Sequence, residues 1–125
     1  GRMESADAGP WEAAVREAQE EIGLAPEYVS LAGYLHDHLV ITGYIITPAV
    51  AFVRPGFELK LDTTEVEDAF EVPLEFVLDP INHVASTRVF AGQTFTTHDI
   101  PFGERHIWGA TAGMLLSLYQ MLQEV

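Results

Sequence analysis

Three glutamates near the start of the chain have the spacing of a metal site. Glu17, Glu20 and Glu21 are three and four residues apart, so a helix would stack their carboxylates on one face. Carboxylates at this spacing repel one another, and such a set suits a hard divalent cation, which takes oxygen ligands. The alternative is a solvated acidic face, which is common on helices. No lysine is interspersed among these acids, which favours the cation site.

One arginine precedes the glutamates directly. On a helix, Arg16 reaches residues four positions away in either direction, which are Glu12 and Glu20. Such a contact would hold a carboxylate in position, as groups behind metal ligands do. Arg16 is therefore a candidate for ordering the acidic face.

The glutamates require a helix, and the surrounding sequence predicts one over residues 10–22. Pro10 is tolerated at a first helical position, and Gly23 is a typical stop. One apolar stripe at helical spacing would face the core, and it comprises Trp11, Ala14, Val15, Ala18 and Ile22.

The remainder of the chain predicts strands followed by a last helix. β-Branched and aromatic content predicts strands over residues 29–35, 41–53, 66–72, 84–90 and 94–97. Within the second of these, Pro48 indicates a bulge or an irregular stretch. A short helix is predicted over 73–78 and an apolar helix over 109–122, with a loop over 54–64. This order favours an α/β fold with a sheet between the two main helices. The length of 125 residues fits a single domain over 1–125.

Composition excludes several classes of protein. The formal net charge of -13 argues against a nucleic-acid partner. No run approaches the roughly 20 apolar residues of a membrane span, so no membrane partner is expected. There is no cysteine, which excludes disulfides and thiolate sites. The lack of a secretory signal favours the cytoplasm. If the substrate carries phosphates, bound divalent cations would cancel charge locally, although the acidity could also serve only solubility.

Residues 16–24, which read Arg-Glu-Ala-Gln-Glu-Glu-Ile-Gly-Leu, carry a family resemblance. They resemble the core of the Nudix box, Arg-Glu-apolar-x-Glu-Glu-x-Gly-apolar, at every fixed position. The resemblance implies a metal-dependent hydrolase of nucleotide-type diphosphates, with the α/β/α sandwich and mixed sheet of that family.

Further stretches resemble the coenzyme A diphosphatase branch of the family. They are residues 1–4 (Gly-Arg-Met-Glu), Asp7, and residues 14–18, 41–48, 65–74 and 107–112. The branch implies coenzyme A or a derivative as the small-molecule nucleotide substrate. The products would be adenosine 3′,5′-bisphosphate and 4′-phosphopantetheine.

The resemblance also implies roles for individual residues. Glu17, Glu20 and Glu21 would hold Mg²⁺ or Mn²⁺. The general base would be Glu20 or Glu21, ranked above the distal Glu65, for which an exposed position at a strand start is the alternative.

Two arginines are candidates for contact with substrate phosphate. Arg2 and Arg88 could bind it in the bidentate manner that guanidinium groups favour. The alternative for both is a surface ion pair with one of the 19 acids.

One feature of the family is missing from this sequence. Members have strands ahead of the box, so the chain is expected to lack a preceding segment. An unpaired sheet edge would then favour association with a second copy as a homodimer.

Three other functions stay open. The first is a Nudix hydrolase of another substrate, such as ADP-ribose, a dinucleotide or a nucleoside triphosphate. The second is a nucleotide-binding module without turnover, and the third is a purely structural piece. The three box glutamates favour an enzyme, since degenerate members usually lose them.

Overall fold

The structure is a computed structural model, and it describes residues 2–40 and 42–124. The α-helices are α1 (Pro10–Ile22), α2 (Leu74–Val77) and α3 (Gly109–Gln123). The strands are β1 (Val29–Tyr34), β2 (His38–Leu39), β3 (Ile45–Ile46), β4 (Ala49–Val53), β5 (Val84–Phe90), β6 (Gln93–Phe102) and β7 (Arg105–Trp108). Short 3-10 helices cover Pro26–Tyr28 and Pro80–Asn82. The predicted α/β class is confirmed.

The chain forms two compact units. The first comprises residues 2–34 and 49–70, and the second comprises residues 35–40, 42–48 and 71–124. In the first unit, β1 pairs antiparallel with β4, and the register shifts between Leu31 and Gly33. Ala13 of α1 and Leu24 are buried there. The single domain over 1–125 stays a prediction.

Helix α1 has the predicted bounds, and local chemistry explains both ends. Pro10 occupies the first helical position, where its missing N–H costs no hydrogen bond. Gly23 adopts the left-handed conformation with φ +75°, which residues with a Cβ rarely take. The amides of Gly23 and Leu24 then donate to carbonyls of the last helical turns. This compact ending lets the chain turn away directly after the glutamates.

The second unit is built on a three-stranded antiparallel sheet. Its strand order is β5-β6-β7, and a separate short ladder joins β2 and β3. The core of the unit contains Val77 of α2, Ile100 of β6 and Ala112 of α3. Because these side chains come from three elements, burial of apolar surface fastens both helices to the sheet.

A cavity of about 340 Å³ lies within the second unit. It is bounded by β2, the middle of β6 and the first turn of α3, and the lining residues are His38, Leu39, Val40, Thr42, Phe95, Thr96, Thr97, His98, Gly109, Ala110 and Gly113. The ring of His38 packs against Gly113, where a Cβ would lie 2.8 Å from His38 Cε1. Small residues of α3 thus leave room for the histidine.

The single strand predicted over 41–53 is wrong. The chain forms β3 and β4 instead, separated by Thr47 and Pro48. Pro48 cannot donate to a ladder, and its carbonyl accepts from the Leu35 amide at 3.0 Å. Gly43, at φ +95°, turns the chain before β3. Ile41, the first residue of the predicted strand, lies outside the described residues, as does Gly1.

The strand predicted over 66–72 is also wrong, because this stretch is irregular. The amide of Val66 donates to the Asp62 carbonyl at 2.8 Å and so belongs to a turn.

Sequence reasoning also underestimated the hairpin near the end of the chain. Strand β6 extends past the predicted 94–97, and β7 was not expected. Pro101 discourages a strand prediction, yet it pairs in register with His106. Gly103, at φ +60°, makes the connecting turn.

Within residues 2–40 and 42–124, no helix combines the length and the apolar character that crossing a membrane requires.

Gly23 offers a test of how the segment after β4 docks on α1. A Cβ at Gly23 would lie 2.9 Å from Lys60 Cβ and 3.1 Å from Lys60 N. Gly92 has a similar φ of +77° but nothing within 4 Å of its would-be Cβ. We expect Gly92→Ala to cost about 1–2 kcal/mol of unfolding free energy from the left-handed backbone alone. Gly23→Ala should cost measurably more, because Lys60 must also move.

Urea unfolding of the two variants and the wild type measures both losses. Equal losses would contradict a tight contact between Lys60 and the end of α1.

Candidate active site

Three carboxylates converge at one place in the first unit. Glu17 and Glu21 lie one turn apart on α1, and Glu65 comes from a turn beyond β4. One carboxylate oxygen of each residue lies within 4.8 Å of the others. In the part of the chain that the structure describes, this is the group of three acidic or histidine side chains whose geometry could hold a metal ion. The glutamate cluster, as we call these three residues, brings together two predicted metal ligands and the distal glutamate.

The electrostatics of the glutamate cluster fit a cation. Burial raises the pKa of Glu21, and the hydrogen bond and negative charge of Glu17 raise it further, with a smaller effect of Glu65. Like charges are therefore held close together at a partly desolvated point. A divalent cation there would relieve the repulsion and restore the ionised forms. Oxygen-only ligands suit hard ions such as Mg²⁺ or Mn²⁺.

Glu20 faces a different partner. Its Oε2 accepts from Arg16 Nη1 at 3.2 Å, and its side chain is 58% exposed. The predicted contact between Arg16 and Glu20 is thus present. The proposed part of Glu20 in metal binding or as a base stays a prediction.

The guanidinium group of Arg16 donates hydrogen bonds only to groups of the protein. Its Nε and Nη2 donate to the two carboxylate oxygens of Asp7, its Nη1 donates to Glu17 and Glu20, and its Nη2 also donates to the backbone carbonyl of Arg2. These bonds account for the five N–H donors of a guanidinium group. Arg16 therefore holds carboxylates in place and has no donor left over for a ligand.

Asp7 is a site residue that sequence reasoning did not assign. Its carboxylate lies 3.0 and 3.1 Å from Arg16 in a bidentate pair, and its side chain is only 6% exposed. The amide of Glu4 also donates to it at 2.7 Å. The Arg16 hydrogen bond, followed by that of the Glu4 amide, lowers the pKa of Asp7. Its position nine residues before Arg16 gives no helical or strand spacing, so only the family resemblance pointed to it.

The two arginines predicted to bind phosphate occupy different units. Arg2 lies beside Arg16 in the first unit, where its carbonyl accepts from that guanidinium at 3.1 Å. Arg88 is exposed on β5 of the second unit, opposite Phe95 of β6. Contact of either residue with a substrate stays a prediction.

Fold and site together define an α/β protein that carries an acidic, oxygen-lined candidate cation site at the end of a helix. The sequence pattern of the NUDIX domain matches residues 1–91. This match covers most of the chain, and the chain belongs to the Nudix family.

Two kinds of curated relative are similar to the chain. A Nudix hydrolase named NudL, described as uncharacterized, is 31% identical in Citrobacter koseri and 30% identical in Escherichia coli, each over 118 residues. These alignments cover 94% of this chain and 62% of each relative. The peroxisomal coenzyme A diphosphatase of Mus musculus is 31% identical over 98 residues, which are 78% of this chain and 42% of that protein. The chain thus spans under two thirds of the length of these relatives.

The Asp7–Arg16 pair predicts a pH dependence of stability. Because the pKa of Asp7 is lower in the folded protein than the ordinary 3.8, its ionised form stabilises the fold above about that pH. The contribution is lost as the pH falls through the lower, folded-state pKa. Asp7→Asn, which does not ionise, should be less stable than the wild type near neutral pH, and the difference should shrink in acid.

Urea midpoints of both proteins from pH 7 down to pH 2 measure this difference. A constant gap across that range would show that Asp7 acts through something other than its charge.

Proposed function

We propose that the protein is a metal-dependent hydrolase of a nucleoside diphosphate-linked substrate. The observation that carries this proposal is the glutamate cluster, in which carboxylates from two separate segments meet within 4.8 Å. Acidic side chains that only improve solubility gain nothing from such an approach, because like charges repel. A cation site explains why the fold holds them together.

The residues of the chain would divide the work as follows. Glu17, Glu21 and Glu65 would hold the cation, and Glu20, the third acid of the box, pairs with Arg16. Bound Mg²⁺ or Mn²⁺ would supply neutralisation of the diphosphate charge and a lowered pKa for a water ligand. Arg16 orders the glutamates, since its donors are spent on Asp7, Glu17 and Glu20.

A general base must take the proton of the attacking water. Glu20 and Glu21 are the first candidates, and Glu65 the next. Glu21 is a member of the glutamate cluster, beside the proposed cation and the water that it would activate. Glu20 lies outside the glutamate cluster, and its Oε2 accepts from Arg16 Nη1 at 3.2 Å. These two environments support Glu21 over Glu20.

The substrate we propose is coenzyme A or a derivative, with adenosine 3′,5′-bisphosphate and 4′-phosphopantetheine as products. Two observations support it. The stretches outside the box resemble that branch of the family, and a relative at 31% identity is named as a coenzyme A diphosphatase. Arg2 or Arg88 would contact a phosphate of the substrate.

Replacement of single glutamates tests the site. Glu21→Gln keeps the size of the side chain but removes its charge, and turnover should fall by roughly 100-fold or more, as for loss of a general base. Glu20→Gln should also reduce turnover.

Glu12→Gln is the matched control, because Glu12 is an exposed acid on the same helix. Metal-dependent turnover of each variant measures the effect, with circular dichroism to check folding. Activity equal to wild type in both Glu20→Gln and Glu21→Gln would falsify the assignment.

A product assay by mass spectrometry tests the substrate. The protein is incubated with coenzyme A, ADP-ribose, NADH and a nucleoside triphosphate, each with Mg²⁺ or Mn²⁺ and with neither. We expect metal-dependent release of 4′-phosphopantetheine from coenzyme A. If ADP-ribose is the substrate that is cleaved, the hydrolase stands and the coenzyme A assignment fails. Binding of a substrate without turnover would instead favour a nucleotide-binding module.

A further inference from the structure

The segment that carries Glu65 is fastened to the end of α1 by the amides of Lys60 and Asp62. We propose that Asp62 is a positioning residue that holds Glu65 beside Glu17 and Glu21. The inference rests on the proposed function, because it gives the glutamate cluster its cation. It adds a residue that ligates nothing and acts through the chain geometry around Glu65.

Backbone hydrogen bonds first dock the segment on α1. The amide of Asp62 donates to the Glu21 carbonyl at 2.9 Å, and the amide of Lys60 donates to the Ile22 carbonyl at 2.9 Å. The last carbonyls of a helix have no partner within the helix. The segment supplies partners to two of them, one belonging to the cluster residue Glu21. The close approach of Lys60 to Gly23 lies at the same place.

Asp62 then sets the direction of the chain towards Glu65. Its Oδ1 accepts from the Thr64 amide at 3.0 Å and from the Thr64 hydroxyl at 2.6 Å. Its carbonyl accepts from the amides of Glu65 and Val66 at 3.1 and 2.8 Å. Asp62 thus bonds Glu21 on one side and the Glu65 backbone on the other. No other residue in these described bonds connects the two cluster members in this way.

The position of Glu65 depends on the turn at Asp62 more than the positions of Glu17 and Glu21 do. Glu17 and Glu21 are fixed by the rigid helix, whereas Glu65 is exposed and lies on a turn. Repulsion by the two helix carboxylates drives an exposed glutamate away from them. A turn tied by side-chain hydrogen bonds opposes that displacement and keeps a third carboxylate near the other two.

Two substitutions at Asp62 separate positioning from charge. Asp62→Ala and Asp62→Asn both remove one negative charge, but asparagine keeps an oxygen that accepts from Thr64. Binding of Mn²⁺ is measured by the electron paramagnetic resonance signal of the free ion, and amide hydrogen exchange at Glu65 and Val66 is measured in the metal-free protein. We expect Asp62→Ala to weaken Mn²⁺ binding about 10-fold or more, as loss of groups behind metal ligands does, and to speed exchange at both amides. Asp62→Asn should stay near the wild type in both measurements.

Controls make each outcome decisive. Glu58→Ala removes one charge from an exposed site on the same segment and should leave binding near the wild type. If both Asp62 variants weaken binding equally, Asp62 acts by charge or as a ligand, and the positioning role is overturned. If wild-type binding is lost in Glu17→Gln but unchanged in Asp62→Ala, the metal site stands and the positioning role fails. Absence of Mn²⁺ binding in the wild type overturns both proposals. Should Asp62→Ala fail to fold, Thr64→Val removes only the hydroxyl bond, and unchanged binding and exchange in that variant would overturn the inference.

Discussion

Repulsion among three carboxylates is the constraint on which the first unit depends. At about 4 Å, two like charges repel by about 1 kcal/mol even in water, and by more where water is excluded. Glu17 and Glu21 are both partly buried, so water is partly excluded at the cluster. Without a cation, such a group persists only if its members cannot move apart. The elements around it restrict that movement.

Three structural features keep the carboxylates together: helix α1, the side chain of Arg16 and the turn at Asp62. Helix α1 fixes Glu17 and Glu21 at a spacing of one turn, independently of their charges. Arg16 binds Glu17 and Glu20 through one nitrogen, while its bidentate pair with the nearly buried Asp7 anchors the guanidinium. Lysine would not serve, since its single ammonium group lacks the planar fork that fits Asp7. The turn at Asp62 adds the third carboxylate from outside the helix.

The parts of this arrangement that are local in sequence could be predicted. Helix α1 was predicted with its observed ends because Pro10 and Gly23 act within one turn of themselves. The spacing of Glu17 and Glu21 followed from the same helix. Glu65 lies 44 residues after Glu21 and reaches the helix because its segment docks there. Hydrophobic periodicity cannot predict a contact so distant in sequence. Only the resemblance pointed to Glu65, and nothing in the residue pattern pointed to Asp62.

The wrong strand predictions arise from turns and prolines close in sequence. Residues 66–72 contain apolar residues at strand-like spacing. The Val66 amide, however, donates to the Asp62 carbonyl in a turn, and Pro73 caps the start of α2. In residues 41–53, Pro48 breaks the ladder although β-branched residues surround it. Conversely, β7 exists because Gly103 turns the chain back on β6, where pairing outweighs the presence of Pro101. A turn and a proline decided the first two cases against strand propensity, and pairing between strands decided the third.

The hydrogen bonds of Arg16 also matter for how an acidic protein would bind a negatively charged phosphate substrate. The chain has 6 basic and 19 acidic residues, so positive charge for a polyanion is scarce. Arg16, the base nearest in sequence to the cluster, directs all its donors to Asp7, Glu17, Glu20 and the Arg2 carbonyl. It orders the glutamates and offsets part of the charge of Glu17, whereas Glu21 and Glu65 have no hydrogen bond to Arg16 among the described contacts. A divalent cation at the cluster, as proposed, would bring two positive charges and so let a protein this acidic accept a diphosphate.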